Sequence, residues 1–263
     1  MRKIFFLGTG HGMPVRSSCT AILLEDEKNN ILFDAGGGHD VLNRFHDAGK
    51  DPSTVENIFL THYDSDHILG LVPIMRAWHR WAEPKKRMIF CSIEVKKAID
   101  SLFVYVAKKH YDPVKENINF VILEDRLEYT LNGWKICFFD IKSPGSSPQF
   151  GCKILFPDKA SLAFLGDEPL REHYLDIVKD STVMIHEAFC LDGQETEFNA
   201  HQKNHSTAKE AAENASRAGV KNLLFYHMED RTIGTRKVEY TKEARQYFKG
   251  EVFVPIDGDV YEF

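Results

Sequence analysis

The chain has 263 residues, of which 43% are hydrophobic and 27% are charged, as is typical of a folded globular protein with a sizeable core. Its formal net charge of −6 gives no general electrostatic reason to bind nucleic acid. No stretch approaches the roughly 20 apolar residues that a membrane-spanning helix needs. The five cysteines are scattered without a C-x-x-C pair, which indicates reduced thiols. We therefore expect a cytoplasmic protein that does not contact a membrane.

Short apolar strands alternate with polar helical stretches along the chain. Strands are predicted at residues 4–7, 20–24, 30–33, 57–60, 126–131, 134–141, 153–156, 161–165, 182–185, 222–226 and 252–255. Helices are predicted at residues 40–48, 67–81, 94–109, 169–178 and 208–218. Because the strands come in two runs with helices after each, the sequence predicts an α/β (αββα) sandwich of two packed mixed sheets flanked by helices. We expect it to form a single domain over residues 1–263.

Two of these elements carry specific local signals. Asn132 and Gly133 separate two predicted strands, and an Asn-Gly pair accepts the positive φ angles of a tight primed hairpin turn. Thr207 and Glu210 have the spacing of a helix capping box, and Gly219 stands where that helix is expected to end. The alanines between them recur on one narrow face, which suits a helix that lies on a sheet.

The strongest chemical signal is a loop with four potential metal ligands in six residues. It follows a predicted strand that ends at about Leu60, and its ligand groups are His62, Asp64, Asp66 and His67. Neutral imidazole and carboxylate are the groups that bind zinc, manganese or iron. The alternative is a polar loop with one aspartate that caps the next helix, but a single aspartate would suffice for that. The density of ligand groups therefore favours a metal site.

Further candidate groups lie close to the ends of predicted elements, where a scaffold usually presents its working residues. These groups are Asp34, Asp167, His186, Glu187, His205 and His227. His205 precedes the capped helix, and the others follow or end apolar strands. Any one of them alone could be a turn former or a half-exposed histidine. Their joint occurrence is what indicates a functional site.

In these motifs the chain resembles the metallo-β-lactamase superfamily, and within it most of all the ribonuclease Z and phosphodiesterase branch. The matching pieces occur in the family's order over most of the chain. They are Gly8-Thr9-Gly10 with Pro14, Phe33-Asp34-Ala35-Gly36, Thr61-His62-x-Asp64-x-Asp66-His67, Gly166-Asp167, His186-Glu187-Ala188, His205-Ser206-Thr207-Ala208, and His227 with Asp230-Arg231. The His/Asp segment is the most specific of them, and the glycine-plus-aspartate pieces are individually weak.

The resemblance implies a two-metal site. One metal would be bound by four residues, namely Asp66, His67, Asp167 and His227. The second metal would be bound by His62 and Asp64, with Asp167 bridging to it. Such a site implies one or two divalent metals per chain.

The resemblance also implies catalytic roles. His205, with Glu187 as its partner, resembles the proton donor to the leaving oxygen. Asp66 would help to orient or deprotonate the attacking water, and Asp34 would hold the ligand loop from behind. Together these roles imply hydrolysis of a phosphodiester or a related phosphate ester through a metal-activated water.

The chain departs from the family at the second metal. The family usually has a histidine at the position of Asp64, and it expects another in the turn at residues 142–146, where this chain has none. The first site keeps its ligands, whereas the altered site is richer in oxygen, which favours harder ions. We therefore expect zinc at the intact site, with manganese, iron or magnesium as candidates for the altered one.

The same comparison bears on the substrate. Family members that mature tRNA carry a long arm, but only about twenty residues separate Ser146 from Asp167 here. With the acidic charge balance, this makes tRNA an unexpected partner and favours a small-molecule or oligonucleotide phosphoester. Trp78, Trp81, Phe103 and Tyr105 are interpreted as core or dimer surface. A homodimer is compatible with this branch.

Two alternative functions remain open at the level of sequence. The first is hydrolysis of an ester, thioester or lactone on the same scaffold, although acyl-transfer relatives typically lack the proton-donor piece of His205 and Glu187. The second is a metal-binding sensor or non-catalytic homologue with an eroded second metal site. The loss of two imidazoles motivates the second alternative. The fold alone does not choose among these functions.

Overall fold

The computed structural model describes residues 1–142 and 148–263. Its strands are β1 (Lys3–Gly8), β2 (Ala21–Glu25), β3 (Asn30–Phe33), β4 (Asn57–Phe59), β5 (Arg87–Cys91), β6 (Ile118–Ile122), β7 (Glu128–Leu131), β8 (Trp134–Asp140), β9 (Phe150–Leu155), β10 (Ser161–Phe164), β11 (Val183–Glu187), β12 (Asn222–Tyr226), β13 (Glu251–Phe253) and β14 (Val260–Glu262). Its α-helices are α1 (Asp40–Asp47), α2 (Ser65–Ile68), α3 (Leu71–Trp81), α4 (Ile93–Leu102), α5 (Lys108–Tyr111), α6 (Leu175–Val178), α7 (Glu195–Phe198), α8 (Ala208–Ala218) and α9 (Arg236–Tyr247).

The chain divides into two compact units, residues 1–123 with 256–263 and residues 124–255. Among the described residues, each unit contains one seven-stranded sheet, in the orders β14-β1-β2-β3-β4-β5-β6 and β13-β12-β11-β10-β9-β8-β7. In the first sheet, pairing is antiparallel from β14 to β3 and parallel from β3 to β6. The second sheet is antiparallel from β7 to β10 and parallel from β10 to β13. Both sheets are therefore mixed, as the sequence predicts.

In the first unit, helices bury their apolar stripes together with one face of the sheet. Leu32 of β3 and Ile58 of β4 belong to one buried cluster with Phe45 of α1, Ile74 of α3 and Ile99 of α4. All five side chains are completely buried. The sheet and its helices therefore share one core, and the loops that leave the parallel strands start from fixed positions.

In the second unit, α8 lies on the sheet through its alanine face. Ala211 and Ala215 are completely buried in one cluster with Leu223 of β12 and Tyr240 of α9. The predicted capping box is confirmed, because Thr207 accepts from the N–H of Glu210 while the Glu210 carboxylate accepts from the N–H of Thr207. This cap fixes where the helix starts and hence the residues just before it.

The predicted hairpin and helix end are also confirmed. Asn132 and Gly133 have φ angles of 44° and 93°, and the flanking Leu131 and Trp134 pair directly. Gly219 ends α8 with a φ of 65°. At these positions a side chain that disfavours positive φ would strain the turn.

Other predicted boundaries are wrong. The helix predicted at residues 94–109 is divided into α4, a π-helical turn (Phe103–Ala107) and α5. This division buries Phe103 but leaves Tyr105 87% exposed. The helix predicted at residues 169–178 is reduced to a 3₁₀ turn (Glu172–Tyr174) and α6, and the Pro169 carbonyl accepts a hydrogen bond from the Tyr174 hydroxyl at 2.9 Å. None of the helices in the described part of the chain is both long enough and apolar enough to span a bilayer.

Candidate metal centre

The candidate ligands emerge where parallel strands end. In the first unit, Asp34 follows β3 and the loop from His62 to His67 follows the neighbouring β4. In the second unit, Asp167 follows β10 and His227 follows β12, while Glu187 is the last residue of β11 between them. Because the carboxyl ends of parallel strands meet at one edge of a sheet, each unit gathers its polar groups at that edge.

The imidazole of His67 is oriented by the Asp34 carboxylate. The His67 Nδ1 lies 2.7 Å from the Asp34 Oδ2, and both residues are completely buried. Asp34 also accepts from the Thr61 N–H at 2.9 Å. Because the His67 Nδ1 donates its proton to Asp34, Nε2 keeps its lone pair and is the atom available to a metal. This Nε2 lies 3.1 Å from the Asp66 Oδ2. The arrangement fits a histidine and a carboxylate that share a divalent cation.

A close backbone contact keeps the Asp34 turn against the ligand loop. Asp34 has a φ of 54°, which non-glycine residues rarely adopt. The next residue, Ala35, donates its N–H to the His67 carbonyl at 2.8 Å. A Cβ at Gly70 would lie 1.8 Å from the Ala35 carbonyl oxygen, so this approach requires glycine. The sequence alone did not reveal the role of Gly70.

Asp64 lies in more open surroundings than His62, which is buried. The rings of His62 and His67 are 4.1 Å apart, whereas the His62 Nε2 lies 3.7 Å from the Asp64 Oδ2. The Asp64 side chain is 63% exposed, and the neighbouring His62 lowers its pKa. Asp64 stands at the N-cap of α2 but makes no side-chain capping bond. The capping alternative therefore does not account for Asp64.

In the second unit, Asp167, His205 and His227 form a possible ligand group. Each offers one ligand atom, and these atoms lie within 4.8 Å of one another. The His227 Nε2 is 3.6 Å from the Asp167 Oδ2, and both side chains are buried. His227 has a φ of 54°, so two candidate site residues, Asp34 and His227, share an unusual backbone conformation.

His205 is oriented by a buried carboxylate. Its Nδ1 lies 2.8 Å from the Glu187 Oε2 and 3.0 Å from the Asp167 carbonyl. Glu187 also accepts the Ser206 N–H at 2.7 Å, and the His205 ring stacks on Phe189 with centroids 4.6 Å apart. Burial lowers the pKa of His205, but the Glu187 carboxylate outweighs burial and raises it. The pair is therefore suited to hold a proton on an imidazole.

His186, the other histidine of the same motif, has a structural role. Its Nδ1 lies 2.8 Å from the Glu187 carbonyl and its Nε2 lies 3.1 Å from the Asn214 amide nitrogen. Burial lowers its pKa to about 4. Both ring nitrogens are thus used in the neutral form, so His186 is not available to a metal.

Sequence reasoning gave no role to two residues that support the site. Phe189 and Thr61 support His205 and Asp34, and neither is a ligand type that would attract notice on its own. The turn at residues 142–146, where the family has a histidine, lies mostly outside the described residues, which exclude 143–147. Of that turn, Lys142 is described, and its N–H donates to the Asp140 carboxylate at 2.8 Å.

Comparison with known proteins agrees with this fold. A ribonuclease Z from Lactiplantibacillus plantarum is 26% identical over 296 residues, covering 94% of this chain and 93% of the relative. The solved structure of the metallo-β-lactamase fold protein YhfI from Bacillus subtilis matches with a TM-score of 0.78 and 21% identity, covering 100% of both chains. The short form of human tRNase Z matches with a TM-score of 0.77 and 19% identity, covering 99% of this chain and 98% of that one.

The chain therefore has the metallo-β-lactamase fold and is a distant homologue of ribonuclease Z, with buried His/Asp groups that are candidates for a metal site. The predicted fold class and the predicted resemblance are therefore confirmed. The family model described as anti-Pycsar protein Apyc1 matches residues 2–246. The chain belongs to the anti-Pycsar protein Apyc1 family.

Proposed function

We propose that this protein is a metal-dependent hydrolase of phosphodiesters or related phosphate esters, with a small-molecule or oligonucleotide substrate. The observation that carries the proposal is the His205–Glu187 pair, whose atoms are 2.8 Å apart beside Asp167. Cleavage of a phosphodiester expels an alkoxide, which leaves more readily once a positioned acid protonates it. Kinship with ribonuclease Z points to the same class of bond.

We propose that divalent metal is bound by His62, Asp64, Asp66, His67, Asp167 and His227, with residues 1–263 acting as one metallo-hydrolase domain. The donor chemistry supports this set, because Asp34 fixes the His67 tautomer that presents Nε2. When bound, the metal supplies Lewis-acid stabilisation of charge on the phosphoryl oxygens. The exposure of Asp64 supports weaker binding at the altered position than at the intact one.

The residues of this chain would divide the proton transfers between them. Asp66 would accept a proton from the attacking water. Its carboxylate lies 3.1 Å from the His67 Nε2, which places it beside a proposed metal ligand. His205 would give a proton to the leaving oxygen, and Glu187 would keep the imidazolium in place. General acid catalysis of this kind contributes typically 10²–10⁴-fold.

The proton-donor role predicts a dependence on the leaving group. His205→Gln should slow hydrolysis of a phenyl phosphodiester by about 10²–10⁴-fold. It should slow bis(p-nitrophenyl) phosphate much less, since p-nitrophenolate leaves without protonation. Steady-state rates with both substrates check this, with Glu187→Gln as a parallel variant and elemental analysis to confirm that metal content is unchanged. Equal losses with the two substrates would contradict a role as proton donor.

The alternatives are separated by two further measurements. If the substrate is a phosphodiester, bis(p-nitrophenyl) phosphate should be hydrolysed faster than a lactone, and the reverse order would favour acyl-ester chemistry. Asp167→Asn should abolish hydrolysis while its circular dichroism spectrum stays that of the wild type. A folded, metal-loaded wild-type protein without activity on either substrate would favour the non-catalytic alternative.

The proposed asymmetry of the two metal positions is tested by elemental analysis. Two stoichiometric zinc ions in protein purified without added metal would contradict it.

A further inference from the structure

The second unit has a concave surface on the strands that lie away from its ligand edge. We name it the lysine pocket, and it has a volume of about 620 Å³. Its lining includes Lys135, Lys153, Leu155, Lys159 and Lys179. None of these residues belongs to the candidate metal centre.

The lysine pocket is built by strand alternation. In the antiparallel pairing of β8 with β9, Lys135 lies opposite Leu155 and Cys137 lies opposite Lys153, so these four side chains share one face. The intervening Ile136 of β8 is buried at 1% exposure, whereas Leu155 is 42% exposed. Lysines and a solvent-facing leucine therefore stand together on an open face of the sheet.

The charges of the lysine pocket are not balanced. Its lining contains four lysines but only two acidic residues, Glu128 and Asp180, in a chain whose net charge is −6. Within the described part of the chain, Lys135, Lys159 and Lys179 make no ion pair. Lys153 donates to the Lys179 carbonyl at 2.8 Å, and burial lowers its pKa. A concave cluster of cations attracts anions by raising their local concentration.

One lysine of the pocket has a backbone conformation that lysine rarely adopts. Lys159 has a φ of 72° in the turn between β9 and β10, where its N–H donates to the Phe156 carbonyl at 2.9 Å. Glycine or asparagine would adopt this conformation with less strain. The side chain forms no ion pair with any described residue, and it lines the lysine pocket.

The lysine pocket lies away from the candidate metal centre of the same unit. Ser161, in the pocket lining, begins β10, whereas Asp167 follows the end of that strand. Likewise Lys179 precedes β11, whereas Glu187 ends it. A five-residue strand is about 13 Å long, so a molecule in the pocket would not touch those groups.

We infer that the lysine pocket binds a phosphorylated small molecule of nucleotide size at a site separate from the metal centre. Its volume lies within the roughly 300–1,000 Å³ of small-molecule sites. Lysine ammonium groups bind phosphate as point charges, and Leu155 provides an apolar surface for an organic moiety. The inference does not depend on the proposed hydrolytic activity.

Isothermal titration calorimetry with adenosine 5′-monophosphate as the probe tests this inference on the full chain. The pocket variant combines Lys135→Glu with Lys179→Glu, both exposed in the pocket. The matched control combines Lys221→Glu with Lys249→Glu, which makes the same charge change at exposed positions of the same unit. All proteins also carry Asp167→Asn, which removes a proposed metal ligand and with it binding at the metal centre.

The expected result is binding by the parent and the control, and at least about tenfold weaker binding by the pocket variant. Adenosine without phosphate should bind far more weakly than the probe. Equal affinities of the pocket variant and the control would overturn the inference, as would adenosine binding as tightly as the monophosphate. A parent protein that binds no probe at millimolar concentration would overturn it too. Circular dichroism establishes that each variant is folded.

Discussion

Asp34 illustrates how one buried carboxylate can orient a proposed metal ligand. Its Oδ2 lies 2.7 Å from the His67 Nδ1, and its φ of 54° suits asparagine as well as aspartate. Asp34→Asn should therefore keep the backbone but remove the carboxylate charge that favours donation from the imidazole. We expect a loss of about 10–100-fold in metal affinity, the usual effect of removing such a partner. Competition between the protein and a chromogenic chelator for zinc measures it.

Asp180 provides a matched control for this substitution. It is also an aspartate with a left-handed backbone, with a φ of 55°, but it is exposed, and no hydrogen bond or ion pair joins it to a histidine among residues 1–142 and 148–263. Asp180→Asn should bind zinc as the wild type does. If Asp34→Asn binds zinc equally well, Asp34 supports only the turn and not the ligand.

At the scale of elements, His186 joins a strand to a helix. It is the last residue but one of β11, which is buried throughout, and its Nε2 accepts a hydrogen bond from Asn214 of α8 through a lone pair that protonation would occupy. Burial lowers its pKa from 6.5 to about 4, with Glu210 and Arg217 of α8 acting in opposite directions. Below pH 6.5 the unfolded chain takes up the proton first, so the stability that neutral His186 contributes is lost as the pH falls towards 4.

Urea unfolding at pH 7 and pH 4.5 should reveal this loss. Between these two pH values, the free energy of unfolding should fall by about 2–3 kcal/mol less in His186→Gln than in the wild type. Asn214→Asp should also reduce the fall, because a carboxylate would stabilise the protonated imidazole. If the three proteins lose the same stability between the two pH values, His186 is not the group that titrates.

The elements that sequence predicted and those it missed differ in how their signals arise. The Asn132-Gly133 turn, the Thr207 cap and the Gly219 end are local, so the chain encodes them within a few residues. Helix α9 was missed because its buried residues are Arg236, Tyr240 and Ala244, and an arginine in the stripe hides the apolar period. The Arg236 guanidinium is buried because it donates to the Glu229 carbonyl at 2.8 Å, a contact that only the folded chain creates.

Of the three missed strands, β14 and β6 lack a strong local signal, whereas β5 was missed although it is mostly buried and pairs with β4 and β6. Strand β14 pairs with β1 from the other end of the chain, and among its three residues only Tyr261 is buried. Strand β6 lies at the edge of its sheet and has no fully buried residue. The site shows the same limit. Its His/Asp loop was visible in the sequence, whereas the stacking of Phe189 on His205 depends on how two segments meet in space.

On the scale of the whole molecule, the two units repeat one plan. Each sheet is antiparallel on one side and parallel on the other, and each unit presents its proposed metal ligands after the parallel strands. The proposed ligands are thus divided between residues 1–123 and residues 124–255. Whether one metal draws on ligands from both units can be tested through stability, because a metal that binds only the folded chain stabilises it by mass action.

Removal of metal should therefore lower the melting temperature. At a hundredfold excess over its Kd, bound metal contributes about 2.7 kcal/mol, which corresponds to about 5–10 °C in a chain of this size. Differential scanning calorimetry after treatment with a chelator, and again after zinc is restored, measures the shift. His67→Gln in one unit and Asp167→Asn in the other should each abolish the response to zinc, while Asp180→Asn keeps it. A response that survives either ligand variant would mean that the ligands of one unit bind the metal without those of the other.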